Sequence, residues 1–111
     1  MESERDNWNR LFNAEIERAL AARSSGKEGM ARVCARRAAN ILIQQYFNLR
    51  NVPSTKNAMK NLIFLQQYLN PAHPAQSLIS NLIQRVDVTF NLPNDVDLIQ
   101  DVLKLKELLL Q

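Results

Sequence analysis

Apolar residues recur at spacings of three and four along most of this chain, and glycines and prolines stand where the rhythm lapses. Five helices follow from that pattern. The first is predicted over Glu4 to Arg23, with Ser3 as its cap and Trp8, Leu11, Phe12, Ile16, Ala19 and Leu20 as its apolar stripe. Ser24, Ser25 and Gly26 end it. Ser25 and Glu28 have capping-box spacing, so a second helix is expected from there to Leu49, roughly 33 Å long at about 1.5 Å per residue. Its Ala31, Cys34, Ala35, Ala38, Leu42, Tyr46 and Leu49 share one face, small enough in its first half for a neighbouring helix to approach closely. Ile43 and Phe47 lie on another side, which suits either a central helix or one that meets a second subunit.

Pro53 and Ser54 mark the next boundary, and a third helix is predicted over Thr55 to Leu69. After the loop Asn70 to Pro74, with Pro74 in a first helical position, a fourth helix carries Leu78, Ile79, Leu82, Ile83 and Val86. Val88 to Pro93 has no helical pattern and reads as extended. Asn94 opens the last helix, where Asp95 and Asp97 complement the positive end of the helix dipole and Lys104 and Lys106 the negative end. Val96, Ile99, Val102, Leu103, Leu109 and Leu110 give this helix a broad apolar face. Leu98, Leu105 and Leu108 widen it beyond one core contact, which suggests a dimer or a covering partner. The expected fold is all-α, an up-and-down bundle of four to five antiparallel helices in one domain over residues 1–111.

An apolar fraction of 46% in 111 residues is enough for one continuous core. No apolar run approaches the roughly 18 to 20 residues of a membrane span. The charged, polar amino-terminal residues lack the layout of a secretory signal, so cytoplasmic residence is expected. Cys34 is the single cysteine, which excludes an intrachain disulfide and a thiolate-rich zinc cluster. The net charge of +3 hides an asymmetry: Arg18 to Lys60 holds nine Lys or Arg against Glu28 alone, whereas Val86 to Gln111 holds five acids against two lysines. A basic stretch of this kind either recruits a polyanion or is neutralised by the acidic end of its own chain.

The stretch Ala31 to Leu49, the turn Val52-Pro53-Ser54-Thr55-Lys56-Asn57, and the helix through Leu62 and Leu65 together resemble the HEPN family of small prokaryotic helical domains. Asn91-Leu92-Pro93 falls where that family often has an Arg-Tyr-Pro turn. The resemblance implies a helical bundle that dimerises and pairs with a nucleotidyltransferase-like partner. The ribonuclease branch of the family has His four to six residues after an Arg, and no Arg here is followed by His at that spacing. A non-catalytic member, acting through protein contacts, is the reading that follows.

Candidate chemistry is sparse. His73, the one histidine, lies in a loop between prolines without an evident partner, and a structural role is expected. Cys34 falls on the predicted buried seam, where a thiol acts as a small apolar group. Asp95, Asp97 and Asp101 have helical spacing for a weak cation patch, but read better as dipole-complementing surface residues. Gly26 and Gly29 belong to a helix start and do not form a phosphate loop. The alternative function is RNA or nucleotide binding on a basic face of the second helix. Arg23, Lys27, Arg32, Arg36 and Arg37 would contact phosphates there, with Tyr46 or Trp8 as a stacking surface and Glu28 as a local partner of Arg32. No catalytic residue, metal ligand or cofactor is expected.

Overall fold

The computed structural model describes residues 4–84 and 97–110, with side chains from Asn7 onward. Ser3, Val86, the segment Val88 to Pro93, and Asn94 to Val96 therefore lie outside the described residues. Within them the fold is all-α. Five helices follow in order: α1 (Glu4–Ser24), α2 (Glu28–Leu49), α3 (Ala58–Tyr68), α4 (Gln76–Ile83) and α5 (Leu98–Leu109).

The central element is α2. It buries Ala31, Cys34, Ala35, Ala38 and Leu42 on one row and Ala39, Ile43 and Phe47 beside it, so it has core neighbours on more than one side. The most extensive contact is with α1, which brings Phe12, Ile16, Ala19 and Ala22 into the shared core. Alanines on both helices keep that contact close. The expected stripe of α1 is narrower in fact: Leu11 and Leu20 are exposed, and Glu15 is buried with Arg18 paired to its carboxylate. On α2 the expected seam stops short of Leu49, which is 60% exposed.

Two helix ends use the same device. At the end of α1 the Lys27 amide donates to the Ala22 carbonyl (2.8 Å) and the Gly26 amide to the Arg23 carbonyl (3.0 Å), with Gly26 at φ +76°. At the end of α2 the Val52 amide donates to Phe47 (2.9 Å) and the Asn51 amide to Asn48 (3.2 Å), with Asn51 at φ +56°. Both are Schellman closures, which need one residue in the left-handed region. Gly26 thus terminates α1 and does not start α2. The expected capping box is also absent, because Ser25 makes no side-chain cap and the Glu28 carboxylate turns to Arg23.

The third helix begins later than expected, capped by Asn57, whose side chain accepts from the Lys60 amide (2.9 Å). The preceding loop folds back along α2 and is held by a buried asparagine. Asn61 Nδ2 donates to Asn40 Oδ1 (2.6 Å) and to the Thr55 carbonyl (2.9 Å), while its Oδ1 accepts from the Thr55 amide (3.0 Å) and hydroxyl (3.1 Å). Gln44 adds a bond to the same Thr55 carbonyl (2.8 Å). These contacts start α3 beside the middle of α2 and end it beside the aromatic residues of α2's last turn, a refinement of simple up-and-down order.

Pro74 lies in a turn ahead of α4, not in its first turn. That turn is organised by His73, whose Nδ1 accepts from the Ala75 amide (3.0 Å), and by Asn70, whose side chain accepts from Ala72 (2.8 Å). Gln76 then donates back to the carbonyls of Gln66 (3.0 Å) and Asn70 (3.2 Å), covering the end of α3. The last helix is capped by Asp97, which accepts from the amides of Ile99 and Gln100. Its apparent apolar surplus is largely consumed inside the chain: Leu98, Leu105 and Leu109 are buried, and Leu108 alone of the three surplus leucines stays exposed.

Candidate functional site

The five cations expected to form one basic patch do different things. Arg23 is the hub of an ion triad joining three helix ends. Its Nε and Nη2 donate to the two carboxylate oxygens of Glu28 (3.0 and 2.7 Å), and its Nη1 donates to Asp97 (3.0 Å). The hydrogen bonds from Arg23 hold the Glu28 carboxyl below the usual carboxylate range. Burial pushes Asp97 up, but bonds from Arg23 and from the amides of Gln100 and Ile99 outweigh it and leave that carboxyl low. Glu28 in turn keeps the Arg23 guanidinium more firmly protonated than usual. Glu28 therefore bonds to Arg23 where local spacing pointed to Arg32.

Arg36 does not face outward. It is half-buried, and its Nε and Nη2 donate to the carbonyls of Leu82 (3.0 Å) and Gln84 (2.8 Å), closing the carboxyl end of α4. Arg32 is half-buried one turn earlier, whereas Lys27 and Arg37 are exposed. Two of the five, Arg23 and Arg36, are thus engaged with other parts of the chain. The stacking partners also differ: Tyr46 is buried in the core, and Trp8 is half-buried, packed edge-to-face on Phe12.

Cys34, Asp97 and Asp101 are each engaged within the fold. Cys34 is 2% exposed among the alanines of α2. Asp97 is occupied by its cap and by Arg23, and Asp101 accepts from Asn81 (3.1 Å). Burial raises the Asp101 carboxyl despite that bond. Among the described residues no cluster of three His, Cys, Asp or Glu is placed to hold a metal ion. A shallow cleft of about 340 Å³ runs between α1 and the end of α2, lined by Trp8, Leu11, Ile41 and the carboxamides of Asn7, Gln44, Gln45 and Asn48. Its described lining carries no ionisable side chain.

The surface with the most distinctive chemistry is on α3. Ile63 is 40%, Phe64 39% and Tyr68 43% exposed, and the two rings are the outer members of a four-ring cluster. Phe64 stacks on Phe47 at 5.0 Å between centroids, and Tyr68 meets Phe47 edge-on at 5.4 Å and Tyr46 at 6.3 Å. Arg50 lies over the Tyr46 ring, 3.7 Å from its centroid. Lys60 stands one helical turn before Phe64. The periodicity of α3 shows that it is amphipathic but leaves open which ring ends up outside, because that depends on the direction in which α3 crosses α2. One signal was available: no Asp or Glu occurs between Glu28 and Asp87.

No protein-family model, curated protein or solved structure matches this chain.

Proposed function

We propose that the chain is a non-catalytic binding domain that acts through contacts with other protein chains. The observation that carries the reading is the exposed pair Phe64 and Tyr68 on α3, with Ile63 exposed beside it, the two rings being held in place by Phe47 and Tyr46. Exposed, pre-positioned aromatic side chains are the usual anchors of protein interfaces. The resemblance to HEPN domains supports the same class of function, with a second copy and a nucleotidyltransferase-like protein as the partners it suggests. The surface moves, however, from α2 and α5 to α3, since Ile43, Phe47 and most of the α5 leucines serve the core. Nucleic-acid binding on α2 has less to draw on, because Arg23 and Arg36 are committed to Glu28, Asp97 and the end of α4.

The test is light scattering of the purified protein across a concentration series, with capture of partners from its source cells. A dimeric mass, or a captured protein, that is lost in Phe64→Ser and Tyr68→Ser variants of unchanged helicity is the expected outcome. A monomer at every concentration, with capture insensitive to both substitutions, refutes the reading.

A further inference from the structure

The surroundings of the α3 row say more about what covers it. This helix packs on α2 and α4, with no comparable contact to α1 or α5. Between Glu28 and Asp87 the sequence has no carboxylate, so α3 and the loops on either side of it carry none. Among the described residues three cations stand on or beside this stretch: Arg50 over Tyr46, Lys60 one turn before Phe64, and Lys56 in the loop leading to α3. The amino end of α3 adds the positive pole of its dipole at the same side. Phe64 and Tyr68 thus have cations towards the amino end of α3 and, through Arg50, beside the ring cluster, and α3 itself supplies no carboxylate to pair with them.

We infer that this face docks an acidic polypeptide segment, one whose aliphatic or aromatic side chains meet Ile63, Phe64 and Tyr68 while its carboxylates meet Arg50, Lys56 and Lys60. The inference rests on the protein-contact reading and names the partner's chemistry. Complementary charge at the rim favours correct encounter and register, and the apolar centre supplies the anchor. A single-stranded nucleic acid fits less well. Stacking platforms need free ring faces along a continuous cationic groove, but Phe64 gives one face to Phe47 and Ile63 offers no ring.

Fluorescence anisotropy with three labelled probes tests this: a short peptide in which Glu and Asp flank Leu and Phe, its counterpart with Lys replacing every acid, and oligouridine. The acidic peptide is expected to bind and its Lys counterpart not. Binding should weaken as salt rises from about 50 mM to about 0.5 M, and by about ten-fold or more in Phe64→Ala. Arg50→Glu with Lys60→Glu, both exposed positions, should abolish it without unfolding the protein. Equal binding of the two peptides, preference for oligouridine, or indifference to the charge reversals overturns the inference. If the acidic peptide fails while Phe64→Ser still removes a dimer or captured protein, the acidic partner is wrong and the protein-contact reading survives. If neither effect is seen, both fall.

Discussion

Replacing Asn61 with alanine is the most revealing single perturbation of this fold. Asn61 is fully buried, and its side chain uses two donor and two acceptor contacts, to Asn40 and to the carbonyl, amide and hydroxyl of Thr55. A carboxamide has two donor hydrogens and two main acceptor directions, so its capacity is full. Each such bond contributes about 0.5–1.5 kcal/mol net, and a partner left buried without one costs about 1–3 kcal/mol. Thr55 is exposed, so water can replace its lost contacts; Asn40 is only half-exposed and has less access to water. The expected loss is therefore about 2–3 kcal/mol, below the sum of four independent bonds. In a domain of this size it corresponds to a fall in Tm of roughly 10 °C. Thermal and urea unfolding measure it, and amide exchange at Thr55 should accelerate more than at Leu42. Asn61→Asp is expected to be worse, since its carboxylate would face Asn40 Oδ1 and the Thr55 carbonyl without a donor for either. A loss below about 0.5 kcal/mol in Asn61→Ala would mean that the network does not hold the α2–α3 loop.

Five further outcomes are expected. Gly26→Ala places an L side chain at φ +76° and should cost about 1–2 kcal/mol by urea unfolding, although its Cβ meets no atom within 4 Å. Asn51→Gly, at φ +56°, should stabilise by a few tenths of a kcal/mol, and a loss would show that the Asn51 side chain matters in its own right. Glu28 and Asp97 titrate lower in the folded protein, so their stabilisation is complete above the ordinary carboxylate pKa and declines as pH falls through the depressed values; Arg23→Met should flatten that acid limb. Asp101 has the opposite sign, its favourable contribution being present at low pH and lost as pH rises through its raised pKa, so Asp101→Asn should raise stability at pH 7 and leave it unchanged well below pH 4. Cys34 should react with a thiol reagent only as fast as the native state opens, and immediate labelling would contradict its burial.

Much of the helical framework was legible in the chain. The limits of α2 follow from unbroken periodicity between Gly26 and the Asn51–Pro53 turn, and its central place follows from apolar residues on two faces. Boundaries were harder where several good caps compete. Ser54, Thr55 and Asn57 are all plausible caps, and only the anchoring of Thr55 by Asn61 decides for Asn57. The role of Arg36 was hidden because an arginine on a helix wheel has no visible partner when that partner is a backbone carbonyl 46 residues away, as Leu82 is here. Leu98 and Leu105 counted as surplus because the wheel of one helix cannot show how many neighbours it has; α5 packs on α1, α2 and α4. The exposure of Phe64 and Tyr68 depended in the same way on the path of the folded-back loop.

The dominance of the α1–α2 contact reaches beyond the native state. These helices are adjacent in the chain and joined by a tight turn, so their pairing closes a small loop at little entropic cost. An order of assembly follows: the α1–α2 hairpin condenses first, and α5 docks late, when Asp97 must find Arg23 across 74 residues of sequence. Substitutions in the alanine seam, such as Ala35→Gly, should slow refolding, whereas Leu105→Ala should mainly hasten unfolding. The reverse pattern in stopped-flow kinetics would place the nucleus elsewhere. A chain emerging from the ribosome would then have its central helix paired before α5 has been made.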